Sequence, residues 1–205
     1  MRSVTSLYVK KIFFEAAYKA YNYIVQNYGP LLKSLKKDFI GNYPYVCWTE
    51  SDFRTLIIYY MLHKLKGDVF IHSEFKIAKN KFKYDSKELN TMWNNAVQEV
   101  YKVKKRNGDI DIAVTSQDID TIPFLLIAEI KYYHYKKERY RVSAIKEVEN
   151  AYKILNILKQ KGVAHEIAMV IGDHYYHIED RTRADELRRF ARSHKSDVLY
   201  LEIKP

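Results

Sequence analysis

The stretch FLLIAEIKYY, residues 124–133, decides the predicted fold because it places two charges inside an apolar strand. Its near-continuous apolar run is typical of a β-strand that is buried on both faces. Glu129 and Lys131 interrupt this run, and residues two apart on a strand point to the same side. Burying a carboxylate and an ammonium is costly without compensation. The compensation is either pairing with a neighbour, or a divalent metal on the carboxylate and a polar substrate beside the lysine.

A second acidic residue leads into another β-prone run earlier in the chain, at residues 108–114, GDIDIAV. Asp109 and Asp111 both lie in this run and share strand parity, so periodicity does not choose between them. Together with Glu129 and Lys131 the run gives the pattern D…E-x-K.

This pattern resembles the PD-(D/E)xK nuclease superfamily, which includes restriction endonucleases and archaeal Holliday-junction resolvases. Ile110 stands at the position of the motif's proline. We prefer Asp111 to Asp109, because an apolar run follows Asp111 as it follows the family's Asp. The resemblance implies that Asp111 and Glu129 bind Mg²⁺ or Mn²⁺, with the backbone carbonyl of Ile130 as a further ligand. It also implies that Lys131 orients or deprotonates the attacking water, or neutralises the scissile phosphate.

A further acidic residue, Glu50, lies at a predicted helix start. Thr49 is the predicted N-cap and Asp52 stands three residues on, so the helix is expected to run from there to about Lys66. At 100° per residue Glu50 shares a face with Phe53 and other apolar residues, which favours an inward side chain. The alternative is an acid favoured by the helix dipole in a first turn. The resemblance implies a metal ligand here, because many members carry a Glu in the first core helix.

The predicted elements indicate an α/β protein. The resemblance implies a restriction endonuclease-like core, a mixed β-sheet flanked by helices in αβββαβ order, and the order of predicted elements agrees with it. This agreement covers residues 49–172, with a helix inserted between the first two strands. Residues 1–45 are predicted to be an N-terminal helical extension, and residues 46–205 the nuclease-like domain. The extension's first helix, 4–28, is expected to end at Gly29-Pro30. Glu74, in the predicted first strand, is expected to be a solvated or paired residue.

The positive net charge suits a polyanionic partner, and the alternative interpretation is that it only keeps the protein in solution. The 205 residues suit one domain and carry a net charge of +10, with a pI near 9.4, which favours polyanions such as DNA. A basic, aromatic-rich segment at residues 134–141 suits phosphate contacts and base stacking. Cys47 is alone, and no apolar run approaches a membrane span, so we expect a cytoplasmic protein without membrane contact, in the host cytoplasm if viral. Nineteen tyrosines and six glycines are reminiscent of archaeal and archaeal-virus proteins.

The resemblance therefore implies an Mg²⁺-dependent deoxyribonuclease, which would act as a homodimer if it is a junction resolvase. One alternative is a non-cleaving nucleic-acid-binding protein that keeps the nuclease fold. Another is an unrelated α/β protein in which Glu129 and Lys131 form a structural ion pair.

Overall fold

A mixed β-sheet with helices on both faces forms the centre of the computed structural model. The structure describes residues 4–35, 49–67, 69–78, 86–103, 108–116, 122–133, 144–174 and 181–203. The basic, aromatic-rich segment at residues 134–141 lies outside these ranges. In chain order the described elements are α1 (Ser6–Leu35), α2 (Glu50–Leu65), β1 (Val69–Ile77), α3 (Lys87–Val103), β2 (Gly108–Ser116), β3 (Phe124–Tyr133), α4 (Ala144–Gln160), β4 (Ala164–His174), α5 (Arg181–Ser193) and β5 (Val198–Ile203).

The described strands lie side by side in sequence order, β1-β2-β3-β4-β5. The first three form an antiparallel meander, whereas β3, β4 and β5 run parallel to one another. Parallel neighbours need crossover connections, and α4 and α5 occupy those two connections in the chain. The predicted α/β class with a mixed sheet is therefore confirmed, as is the helix inserted between the first two strands.

Two hydrophobic clusters cover the two faces of the sheet. The α1–α2 cluster joins Phe13 and Phe53 to Leu126 and other residues of the sheet. The α3–α5 cluster joins residues of α3, α4 and α5 to the opposite face, where Ile127 lies. Strand β3 contributes to both clusters, which confirms the prediction that it is buried on both faces. A charge on β3 is therefore enclosed whichever way it points.

Helix α1 continues through Gly29 and Pro30 to Leu35, so the predicted end at that dipeptide is wrong. A proline inside a helix removes one backbone donor, and its ring disfavours helical geometry at the preceding residue partly through that residue's Cβ. Glycine has no Cβ, so the clash at position 29 is reduced and the helix continues. The described part of α1 buries an apolar stripe that includes Val9 and Ile24 within the α1–α2 cluster.

Helix α2 begins as the sequence predicts. The Thr49 hydroxyl accepts a hydrogen bond from the Asp52 amide, and the Asp52 carboxylate accepts one from the Thr49 amide, which completes a capping box. The helix ends at Leu65, with Lys66 in the left-handed conformation as its C-cap. The cap fixes Glu50 as the first helical residue, with its side chain near the sheet.

The Lys10 ammonium joins α1 to β4 and to the residue just before β5. Lys10 Nζ lies 3.0 Å from Glu166 Oε2 at the start of β4 and also bonds Asp197 Oδ1, just before β5. All three side chains are largely buried, and the Tyr152 hydroxyl donates a further hydrogen bond of 3.1 Å to Asp197. Lys159 supplies a second cation to Glu166 at 3.2 Å. Lys10 therefore compensates both carboxylates at once.

We expect Lys10→Met to lower the free energy of unfolding by about 3 kcal/mol, because it leaves two buried carboxylates with reduced compensation. Chemical denaturation at neutral pH measures the change. The control Lys11→Met removes a largely exposed lysine one position along and should change stability by less than about 0.5 kcal/mol. Equal losses from the two variants would contradict this role of Lys10.

The same contact predicts a pH dependence. Burial would raise the pKa of Asp197, but the hydrogen bond and charge of Lys10 outweigh it and hold the pKa below the ordinary value of 3.8. A lowered folded-state pKa stabilises the protein above the unfolded-state value, and this contribution disappears as pH falls through the folded-state value. The stability difference between wild type and Lys10→Met should therefore shrink below about pH 4. A difference that stays constant down to pH 2 would refute the link.

Candidate active site

Strands β2 and β3 are paired along only part of their length, and the predicted site residues lie where this pairing stops. Strand β2 stays paired with β1 as far as Gly108, and β3 stays paired with β4 as far as Tyr133. Between β2 and β3, by contrast, the recorded pairing joins residues 112–114 to residues 126–128. The next residues along the two strands are Asp111 and Glu129. We call this place the fork.

Two carboxylates take the place of strand carbonyls in the fork. The Ile130 amide donates a 2.7 Å hydrogen bond to Asp111 Oδ2, and the Tyr132 amide donates one of 3.3 Å to Glu50 Oε2. Alternate amides of a strand point to the same neighbour, so these two donors face the side where β2 has parted. Buried amides need acceptors, and the two acids supply them. Each carboxylate has about four acceptor positions, so further capacity remains on both.

Arg54 approaches the fork from α2, one turn after Glu50. One of its terminal nitrogens lies 3.0 Å from Asp111 Oδ1, and the other lies 2.6 Å from Glu74 Oε1 on β1. The guanidinium is largely buried, and the Asp111 side chain is also mostly enclosed. Arg54 thus neutralises Asp111 while Asp111 binds the β3 backbone.

Beside the fork, the side chains of β1 switch from one face of the sheet to the other. Glu74 adopts the left-handed conformation, with φ of +52°, which is unfavourable for a residue other than glycine. Val69 packs in the α1–α2 cluster, whereas Phe75 and Ile77 pack in the α3–α5 cluster, although all three share strand parity. The left-handed residue breaks the alternation between them. It also places the Glu74 carboxylate, mostly exposed, against Arg54.

Glu129 and Lys131 point to the α4 face of the sheet. Lys131 Nζ lies 3.2 Å from Glu129 Oε2 and 3.9 Å from Glu147 Oε1 of α4. These three residues and Asn150 line a cavity of about 200 Å³ between β3 and α4, together with apolar residues of α3 and α4. Glu129 is only 6% exposed, so its charge needs the compensation that Lys131 provides. This is the pairing that the first of the two sequence-based interpretations requires.

Charges from both faces of the sheet act on Lys131 and on Glu50. Burial would lower the pKa of Lys131, but the charges of Glu129, Glu50, Asp111 and Glu147 outweigh it and raise the pKa well above its ordinary value. Burial raises the pKa of Glu50, as do the charges of Asp111 and Glu147, whereas Lys131 and the Tyr132 amide act in the opposite direction. All four acids therefore lie within electrostatic reach of one ammonium.

Of the four residues that the sequence predicts, Glu50 and Asp111 accept hydrogen bonds from amides of β3, and Glu129 pairs with Lys131 on the α4 face of that strand. The structure separates the two candidate aspartates, because Asp109 is exposed whereas Asp111 bonds the β3 backbone. Glu74 reaches the fork through Arg54, which confirms that it is a paired residue. Ile130 takes part through its amide, and the role of its carbonyl as a metal ligand stays a prediction.

Three contributing residues were missed by sequence reasoning: Arg54, Glu147 and Asn150. Arg54 stands four residues after Glu50, so both fall on the inward face of α2, and an arginine on an apolar helix face was the available signal. Glu147 and Asn150 precede Ala151 and Ile154 at helical spacing on the face of α4 that meets β3. Two polar residues at the start of an otherwise apolar stripe were the signal there.

The donor chemistry of the fork suits a hard divalent cation, since Mg²⁺ and Mn²⁺ prefer carboxylate oxygens. Within the described ranges, no group of three or more His, Cys, Asp or Glu side chains is arranged to hold a metal ion. In the same ranges Asp111 pairs with Arg54, and Glu129 pairs with Lys131. A cation bound by these acids would have to replace part of that pairing.

No protein-family model, no curated protein and no solved structure matches this chain. None of the described helices is long and apolar enough to cross a membrane. The fold and the fork thus define a mixed α/β protein with a buried cluster of acids and bases at a break in its sheet.

We expect Arg54→Met to lower the free energy of unfolding by about 2 kcal/mol, because Asp111 would keep its backbone hydrogen bond but lose its buried countercharge. Urea unfolding measures the change. Arg192→Met, an exposed arginine on α5, is the matched control and should alter stability by less than about 0.5 kcal/mol. If Arg54→Met were as neutral as this control, the guanidinium would not be what holds Asp111.

Proposed function

We propose that this chain is a metal-dependent nuclease of the PD-(D/E)xK type, which hydrolyses phosphodiester bonds in DNA. The observation that carries the proposal is that Asp111 and Glu50 bond the amides on either side of Lys131, while Glu129 pairs with the Lys131 ammonium, all beside one break in the sheet. These residues come from a helix and two strands that are far apart in sequence. Their order in the sequence matches the D…E-x-K pattern, and Glu50 is the inward-facing Glu on the helix that precedes it.

The order of elements supports the same proposal. Taken without α3, the elements from α2 to β4 read helix, three antiparallel strands, helix and a parallel strand. This is the αβββαβ order of the restriction endonuclease-like core. In that core the metal-binding acids lie on the second and third strands, as Asp111 and Glu129 do.

The charge distribution supports a DNA substrate. Strands β1 and β3 run antiparallel to β2. The end of β1, the start of β2 and the end of β3 therefore lie at the same end of the sheet's strands. In the sequence, basic residues directly follow or precede each of these ends, at positions 79–83, 104–106 and 136–141. Lysine and arginine bind the phosphate backbone without reading base sequence. These segments adjoin the strand ends beside the fork in sequence, and their positive charge suits contact with a phosphate backbone.

The residues of the fork would divide the work of hydrolysis. Asp111 and Glu129 would hold Mg²⁺ or Mn²⁺, with Glu50 and the Ile130 carbonyl as further ligands. When bound, the cation would activate water and stabilise the charge that develops on the phosphate. Lys131 would donate hydrogen bonds to the water or to a phosphate oxygen, since its ammonium lies beside Glu129. Arg54 would keep Asp111 oriented from the α2 side.

A second candidate is a non-cleaving DNA-binding protein with the same fold. The observation in its favour is that Arg54 and Lys131 satisfy Asp111 and Glu129 with no metal. Both proposals rely on the basic segments that adjoin the strand ends in sequence, and they differ in whether a divalent cation displaces these pairs.

Incubation of the purified chain with several DNA forms separates the two proposals. Supercoiled, linear, single-stranded and four-way-junction DNA are each incubated with Mg²⁺, Mn²⁺ or EDTA. A nuclease cuts at least one of them with Mg²⁺ or Mn²⁺ and none with EDTA. Symmetric cutting of the junction would further identify a resolvase acting as a homodimer, whereas binding without cutting under every condition would favour the second candidate.

We expect Asp111→Ala and Glu129→Ala to abolish metal-dependent cleavage, a loss of about a hundredfold or more, because each removes a metal ligand. DNA binding, measured by fluorescence anisotropy, should change by less than about threefold, since phosphate contacts by basic residues supply most of the affinity. Asp109→Ala is the matched control, because it removes an exposed acid from the same strand and should cleave normally. Full cleavage by purified Glu129→Ala protein would defeat the proposed function.

A further inference from the structure

The cavity between β3 and α4 holds one ammonium between two carboxylates. Lys131 Nζ lies within salt-bridge range of both Glu129, at 3.2 Å, and Glu147, at 3.9 Å. A lysine ammonium has three donors on a flexible stem, so a small movement changes which acid it favours. The two acids differ in surroundings, because Glu129 is almost fully enclosed whereas half of the Glu147 side chain is exposed.

These surroundings assign the two acids different roles. A divalent cation on Glu129 would repel an ammonium held on the same carboxylate. Lys131 then needs another acid, and Glu147 is the one already in range on the same face. Glu147 stands at the start of the α4 stripe that packs on β3, so its position is fixed by the helix.

We infer that Glu147 is a positioning residue that receives the Lys131 ammonium when a divalent cation takes the Glu129 carboxylate. The inference rests on the proposed function, since it assumes that Glu129 binds a cation. Glu147 itself is not a ligand in this scheme. It makes cation binding easier by giving Lys131 a second partner, and it keeps the ammonium beside the reacting phosphate.

Mn²⁺ binding in a double-mutant cycle tests this role without any nuclease assay. Isothermal titration with Mn²⁺ alone is carried out on wild type, Glu147→Gln, Lys131→Met and the double variant. Glu147→Gln is expected to weaken Mn²⁺ binding roughly three- to fivefold, because Lys131 stays on Glu129 and competes. Lys131→Met is expected to tighten binding, and adding Glu147→Gln to it should change the affinity by less than about twofold.

Glu149→Gln is the matched control, because it removes the same charge from an exposed position two residues along the same helix. It should leave Mn²⁺ affinity within about twofold of wild type in either background. Circular dichroism melts establish that each variant is folded, and Lys131→Gln replaces Lys131→Met in the cycle if the latter does not fold.

The remaining outcomes each overturn the inference in a recognisable way. If Glu147→Gln weakens Mn²⁺ binding equally with and without Lys131, Glu147 acts on the metal directly and the positioning role is wrong. If it has no more effect than Glu149→Gln, Glu147 plays no part, and the proposed nuclease function still stands. If wild type shows no Mn²⁺ binding that Asp111→Ala removes, the proposed function fails and the inference fails with it.

Discussion

The structure depends on how two backbone amides of β3 find acceptors after β2 has left them. A central strand normally bonds neighbours on both sides, and a buried amide without an acceptor is costly. Here the carboxylates of Asp111 and Glu50 accept from Ile130 and Tyr132. Two amides of β3 therefore keep an acceptor where the sheet divides, although the acceptor is a side chain. The acids are part of the architecture before any chemistry is assigned to them.

The buried acids of the sheet need countercharges, and these come from both faces. Arg54 neutralises Asp111 from the α2 side, and Lys131 neutralises Glu129 on the α4 side. Glu74 also pairs with Arg54, and its left-handed backbone coincides with the place where β1 residues change the face they occupy. The distortion of the edge strand, the break in the sheet and the ion pairs therefore lie at one level of the sheet.

The sequence predicts the elements and most of the acids because these depend on local patterns. The apolar run of residues 124–133 predicts β3, the capping residues Thr49 and Asp52 predict the start of α2, and helical spacing gives the inward direction of Glu50. The sequence does not predict Arg54 as the partner of Asp111, because that contact depends on how α2 packs over β2. It also does not predict Glu147, whose role depends on which face of α4 meets β3. The continuation of α1 past Gly29 and Pro30 was missed because both residues usually end helices.

The same ion pairs account for stability and set the conditions under which a cation could bind. Asp111 and Glu129 each have a positive partner without metal, so folding does not require a divalent ion to neutralise them. A cation that binds there must replace contacts that already exist, and its net affinity is the difference between two compensated states. That difference in free energy is small unless the displaced Lys131 ammonium can pair with another acid. On the proposed function, Glu147 of α4 would therefore affect metal affinity although it lies outside the fork, and charge compensation would link the packing of α4 to the chemistry proposed for β3.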